Sequence, residues 1–445
     1  MTSSRSLIVS RNHRRLERLD GTPFFYLADT AWEIAQRLTR EEVVSYLDVR
    51  AAQSFNVIQV MALVEHHWAG PNRYGHAPLK DLNPATPNEA YFEHLDFIVQ
   101  SANERGIVVA LLPTWGDKVN SVWGEGPEIF NPTNARAWGQ WMGNRYKEAD
   151  IIWVVGGDRP ITNETHLTVW REMAAGLSQG DGGRHLKTFH PNGGCSSSQY
   201  VHAEPWLDFN MIQTGHSWPD VPGWEAVRHD LSCYPAKPTV DGEPRYEDHP
   251  VMANRTLGTW GYFGELEVRK AMYHALLAGA CGHTYGCHPV WQFYDPARGA
   301  GINRVRTPWQ AAIHLPGANQ VRHARKLMLS RSWDKLLPDQ NLLYEFWGWG
   351  DQHRQAARTA DRRHMLVYLS DPRPVTIITK QFASDSIYAS WFDPRTGDTQ
   401  ADGCYRRQDR LTFTPPVEGD GPDWVLCLDD VPFASANLIA TDSHL

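Results

Sequence analysis

The chain has 445 residues, 42% hydrophobic and 21% charged, with 43 Lys and Arg against 51 Asp and Glu for a formal charge of −8. That length and balance fit a globular protein with one large domain and a smaller one, and the acidic excess argues against nucleic-acid or anionic-membrane partners. No apolar run reaches membrane-spanning length, and residues 1–12 hold only the short stretch LIV, so the expected location is cytoplasmic, or secreted or periplasmic if a signal peptide was removed.

In chain order, FFYLAD (24–29) reads as a first strand. The helix pattern TREEVVSYLDVRAAQSF (39–55) follows, with Thr39 and Glu42 spaced as a capping box. NVIQVMALV (56–64) is a second strand, NEAYFEHLDFIVQSANERG (88–106) a helix between Asn88 as cap and Gly106 as stop, and IVVALLP (107–113) a third strand. Helix 135–149 leads to IIWVVGGD (151–158), and helix 166–179 leads to KTFHPNG (187–193). DFNMIQTG (208–215), KPTVDGE (237–243), helix 264–279 and AGACGHTYG (278–286) complete the series.

Eight such strands alternating with helices predict a (β/α)8 TIM barrel, a fold of about 250 residues or more. The uniformly apolar runs fit strands buried on both faces. An open doubly wound sheet is the rival, and no GxGxxG follows the first strand to support it. After the helix-like segment 318–330 the pattern changes to short strands punctuated by turns: 341–347, 364–370, 375–380, 386–392, 411–415 and 423–429. The division expected is a catalytic barrel over 1–335 and an all-β sandwich over 336–445. No run of exposed aromatics is evident in the sandwich, which therefore reads as a module packed on the barrel.

Residues at the C-terminal ends of barrel strands project into the mouth. Here they are Asp29, Glu65, His66, Asp117, Asp158, His190, Asn192, Gln213, His216, Glu243, His283 and Tyr285, a polar set suited to a polyol. Trp32, Trp68, Trp115, Trp218 and Trp291 fall just after apolar runs, where an indole offers a flat face to a sugar or simply packs at the rim. Asp158 and Glu243 close the fourth and seventh strands, so they meet across the mouth as the acid and nucleophile of a glycosidase do. Gly156–Gly157 before Asp158 allows close approach, and Arg245 and His216 are candidates to keep Glu243 ionised. The sugar-binding set expected is Asp29, Trp32, Glu65, His66, Trp115, Gln213, His216, His283 and Tyr285; Asp29 has a structural reading as well, fixing the start of the next helix.

Glu65–His66–His67 invites a metal reading, yet the first strand lacks the His-x-His of a barrel metallohydrolase and has Asp29-Thr30-Ala31 in its place. No metal and no cofactor are expected. The six cysteines have no metal-like spacing and are too sparse for a disulfide scaffold.

The blocks FFYLADTAWEIAQRLTREEVVSYLDVRAAQSFNVIQV (24–60), WVVGGDRP (153–160), DGEPRYE (241–247) and WFDPRTGD (391–398) make the chain resemble the apiosidase-like glycoside hydrolases, family 140, over nearly its full length. In that family a TIM barrel precedes a β-sandwich once labelled a collagen-binding domain. The resemblance implies hydrolysis of a terminal furanoside such as D-apiose from plant pectin, with Asp158 as acid/base and Glu243 as nucleophile of a retaining mechanism. The wider clan more often has glutamate on the fourth strand, so Asp158 reaches one methylene less. A carbohydrate-binding protein without turnover and a metal-dependent barrel hydrolase are the alternatives.

Overall fold

The computed structural model describes residues 7–216, 221–251, 261–416 and 422–432. Runs such as VVALL, buried at every position, lie between a filled barrel interior and a helical layer, and this two-sided burial accounts for their lack of polar alternation. The barrel strands are β1 (Tyr26–Thr30), β2 (Val57–Met61), β3 (Val108–Leu112), β4 (Ile151–Gly156), β5 (Lys187–His190), β6 (Asn210–Gln213), β7 (Thr239–Asp241) and β8 (Gly282–Cys287). Parallel ladders join β1 through β5, then β6, β7 and β8, and β8 returns to β1. The seam from β5 to β6 is closed by single bonds: the Asp208 amide donates to the Lys187 carbonyl at 2.8 Å, and Thr188 Oγ1 to the Phe209 carbonyl at 2.7 Å.

Around the barrel lie α1 (Arg40–Ala52), α2 (Glu89–Glu104), α3 (Pro132–Tyr146), α4 (Glu164–Asp181), α5 (Gly223–Ser232), α6 (Glu265–Leu277) and α7 (Pro316–Leu329). The capping box of α1 forms: the Glu42 amide donates to Thr39 Oγ1 at 3.4 Å and the Thr39 amide to Glu42 Oε2 at 2.9 Å. Asn88 stands at the α2 N-cap but makes no side-chain cap bond; its side-chain Nδ2 donates to the Ala77 carbonyl at 2.8 Å. An antiparallel sheet of Leu7–Val9, Leu16–Arg18 and Pro23–Phe24, absent from the sequence reading, precedes β1.

The C-terminal unit holds β9 (Leu336–Pro338), β10 (Arg354–Thr359), β11 (His364–Leu369), β12 (Val375–Ile377), β13 (Ser386–Phe392), β14 (Thr399–Arg406), β15 (Leu411–Phe413) and β16 (Trp424–Asp429). Six of them form an antiparallel sheet in the order β9-β10-β11-β16-β13-β14, and β12 pairs with β15. Alternation along β11 divides its side chains between two cores. Met365, Val367 and Leu369 face Val375, Ile377 and Phe413 within the sandwich, while Leu366 and Tyr368 join the barrel core. Tyr368 stacks on Tyr273 of α6 at 4.9 Å, and the buried pairs Arg269–Asp423 at 2.8 Å and Arg331–Asp429 at 3.0 Å tie the units together.

The expected strand 341–347 does not form. Gln340–Leu342 is a 3-10 turn, and the aromatics after it form an exposed patch in which Tyr344, Phe346 and Trp349 are 52%, 62% and 65% accessible. The expectation of a module without exposed aromatics is corrected accordingly.

Candidate active site

At the end of β4 the chain turns through Gly156 (φ 93°), Gly157 (φ 133°) and Asp158 (φ 51°). A Cβ on Gly156 would lie 2.6 Å from the His190 carbonyl oxygen, and one on Gly157 2.8 Å from both the Gly116 nitrogen and the Trp115 ring. Only glycine satisfies both the positive φ and this close approach. The Gly116 amide donates to the Gly157 carbonyl at 3.1 Å and fixes the turn.

Asp158, so placed, accepts a hydrogen bond on Oδ1 from Gln213 Nε2 at 3.0 Å. Its Oδ2 accepts from Arg159 Nη1 at 2.8 Å and Trp123 Nε1 at 3.3 Å. Burial and then the nearby charge of Glu243 raise its pKa, against the opposing pull of Arg159, His190 and Gln213. The net result is a carboxyl with increased proton affinity, the property an acid catalyst needs.

Glu243 follows β7, held by its amide donating to the Ile212 carbonyl at 3.3 Å and its carbonyl accepting from Gly215 at 2.8 Å. His190 Nε2 lies 3.0 Å from Oε2 and His216 Nε2 3.3 Å from Oε1. Burial alone would push this carboxyl up, but the two imidazoles more than offset it and lower the pKa to about 2. Arg245 also lowers the pKa of the neighbouring Asp241, against the burial that raises it. The Tyr246 hydroxyl accepts from Trp32 Nε1 at 2.9 Å, and its interaction with Glu243 adds to burial in keeping the phenol protonated.

His190 stands between the two carboxylate-bearing residues, with Nδ1 3.3 Å from the Asp158 amide and Nε2 at Glu243. Trp32 and Trp115 pack around its ring, each at 5.4 Å between centroids, and against one another at 5.3 Å. Trp32, Trp115, Gln213 and His216 are thus gathered with Asp158 and Glu243. Glu65 joins them through Arg159, which bridges it to Asp158; burial first, and then the charges of Asp158 and Asp117, lift its pKa to about 7 despite that arginine. His66 lies one step further out, its Nδ1 3.4 Å from Glu125.

Asp29, Tyr285 and His283 do not reach the mouth. Thr284, between the last two, accepts from Gln59 Nε2 at 2.9 Å inside the barrel, so its neighbours point outward. Asp29, in register with Tyr285, faces α1 and accepts from Arg50 Nε at 2.7 Å and the Tyr46 hydroxyl at 2.5 Å. Tyr285 donates to Glu247 at 2.6 Å. His283 is wholly buried, neither ring nitrogen has a hydrogen-bond partner among the described residues, and burial together with Arg245 lowers its pKa to about 3. Trp218 lies outside the described residues.

Conversely, Tyr246, Arg159 and Trp123 belong to the site although none was placed at the mouth from sequence, and His190, placed at the mouth, was given no part in binding or catalysis. His190 was legible as a strand-end residue and Tyr246 by its place three residues after Glu243. Trp123 sits in a loop with no periodic signal.

Among the described residues no group of three or more His, Cys, Asp or Glu is arranged to hold a metal ion. The Glu65–His66 donors are engaged by Arg159 and Glu125. A cavity of about 510 Å³ beside the mouth, lined among others by Arg37, Arg73, Tyr294 and Arg298, includes neither carboxylate. No described helix is long and apolar enough to cross a membrane.

The family model described as "Apiosidase-like, catalytic domain" matches residues 10–335, and "Putative collagen-binding domain of a collagenase" matches residues 337–429. Among solved structures, a glycoside hydrolase family 5 protein from Bacteroides vulgatus ATCC 8482 is 30% identical, with 96% of this chain and 93% of that chain covered and a TM-score of 0.87. A second, described as a glycoside hydrolase, is 29% identical over 96% of this chain and 97% of the other, also with a TM-score of 0.87. No curated protein matches the chain.

Proposed function

The chain belongs to the apiosidase-like catalytic family and is a glycoside hydrolase on a TIM barrel, and from that premise we propose a retaining, exo-acting enzyme that releases a terminal furanosyl or small pentosyl residue, apiose-like, from plant-derived glycans or glycosides. The observation that carries this reading is the contrast in what the two neighbouring carboxyls touch. Glu243 lies against two imidazoles, His190 Nε2 at 3.0 Å and His216 Nε2 at 3.3 Å. Asp158 is held by Gln213 at 3.0 Å and Arg159 at 2.8 Å, with burial and the charge of Glu243 raising its proton affinity. Such divergence separates an acid from a nucleophile.

In the first step Asp158 gives its proton to the departing oxygen while Glu243 attacks the anomeric carbon, forming a glycosyl ester as the C–O bond breaks. In the second, Asp158 takes a proton from water, which displaces Glu243. His190 and His216 hold Glu243 ionised for attack, and Gln213 orients Asp158. Residues 1–335 are taken as the catalytic unit and 336–445 as an accessory unit. The description of the matching family, apiosidase-like, supports apiose as the sugar.

Proton NMR of the first-formed product tests the stereochemistry on para-nitrophenyl furanosides and natural apiosides, with retention expected. Asp158→Ala should keep part of its turnover on activated aryl glycosides and lose poor leaving groups. Glu243→Ala should lose both, with azide restoring an inverted glycosyl azide. An inverted wild-type product, or equal loss by both variants on every substrate, would overturn these roles.

A further inference from the structure

Trp123 is 62% exposed, yet the loop that carries it is tied down on all sides. Asn120 Nδ2 donates to the Pro160 carbonyl at 3.0 Å, Ser121 Oγ to Glu128 at 3.0 Å, and the Gly126 amide to Asp117 Oδ2 at 3.0 Å. Glu125 accepts from the His67 amide at 2.9 Å. A Cβ on Gly124 would lie 2.4 Å from Asp117 Cβ and 2.7 Å from Arg159 Nη2, so the loop is pressed against the arginine that holds Asp158.

At the apex, Trp123 takes φ 47°, a left-handed conformation that is strained for a bulky residue and tends to mark functional sites. A tryptophan recruited for packing would be buried. This one lays its ring over the Arg159 guanidinium at 5.3 Å and points its N–H at Asp158 Oδ2 at 3.3 Å. Much of its remaining surface is open to solvent, right beside the carboxyl that would protonate a leaving group.

We propose that Trp123 is the leaving-group platform: its open face stacks on a ring-bearing aglycone, a sugar ring or an aryl group, while its indole N–H sets the protonation of Asp158. The first half makes it a specificity-determining residue, since a flat apolar face rewards a ring over a small alkyl group. The second makes it a positioning residue, because a donor to the ionised carboxylate favours that form. The proposal rests on Asp158 being the acid/base. The other charged or titratable groups facing Asp158 are Glu243, Arg159 and His190, with Glu65 beyond the arginine.

The test compares benzyl and methyl glycosides of one sugar, whose leaving alcohols are alike except for the ring. In W123A the benzyl-over-methyl preference in kcat/KM should fall roughly tenfold, carried by KM, the scale of a lost aromatic contact. W123F, which keeps a ring, should retain most of that preference. Both variants lose the N–H, so both should move the alkaline limb of kcat/KM to higher pH. An unchanged preference in W123A, or a limb that stays in place in both variants, overturns the proposal. A wild-type protein inactive on furanosides would overturn the sugar assignment instead, and the same comparison is then made on the pyranosides it hydrolyses.

Discussion

Replacing Glu243 by Gln removes a charge the fold stabilises, whereas replacing Asp158 by Asn removes one the fold opposes. Glu243 falls from 4.5 to about 2 although burial works the other way, because His190 and His216 hold the anion. A depression of that size corresponds to roughly 3 kcal/mol of folding stability. Since the folded pKa lies below the unfolded one, the contribution is complete above pH 4.5 and is lost as pH falls through about 2. Glu243→Gln is therefore expected to be less stable than wild type by about 3 kcal/mol at pH 7, with the deficit narrowing below pH 4.5. Asp158, raised rather than lowered, has the opposite sign: Asp158→Asn should be at least as stable as wild type near neutrality. Urea unfolding followed by circular dichroism and tryptophan fluorescence at pH 7, 5 and 4 measures both. A Glu243→Gln protein as stable as wild type at pH 7 would refute the stabilising role of the two imidazoles, and with it the reason for assigning Glu243 the nucleophile's part.

Gln213→Ala deletes a hydrogen bond that favours ionised Asp158, so the alkaline limb of kcat/KM should shift to higher pH; a fixed limb would detach Asp158 from the acid role. Arg50→Ala strands Asp29, a partner with no exposed side-chain surface, and should cost about 3–5 kcal/mol in thermal or urea unfolding. Because neither residue reaches the mouth, the KM of the surviving folded fraction should match wild type, and an altered KM would return Asp29 to the sugar site.

The strand series was legible because two-sided burial writes long apolar runs, and those runs ended near the polar residues of the mouth. The same burial hid the parity of each strand. In an alternating strand, polar residues mark one face; in YLADT all five positions are buried, and nothing in the letters tells that Asp29 looks toward α1 while Ala28 and Thr30 look inward. Tyr285 and His283 were misplaced for this reason, one residue from the inward Thr284. In the sandwich, the edge strand TQADGCYR went unread because it is largely exposed and carries no apolar alternation. NLLYEFW was over-read because apolar letters that become exposed aromatics look like letters that become a core.

The aspartate on β4 raises a question of reach, since it is one methylene shorter than a glutamate in that place. The backbone supplies the difference. Gly156 and Gly157 let the strand end settle against His190 and Trp115, where any Cβ would come within 3 Å of neighbouring atoms. The left-handed turn at Asp158 then brings its amide to 3.3 Å from His190 Nδ1. The same imidazole touches Glu243 through Nε2 at 3.0 Å, so one ring measures the span between the two residues. The glycine pair, the short acid and the histidine therefore form one device: the glycines permit the close approach, the left-handed turn places the aspartate, and the histidine ties it to Glu243.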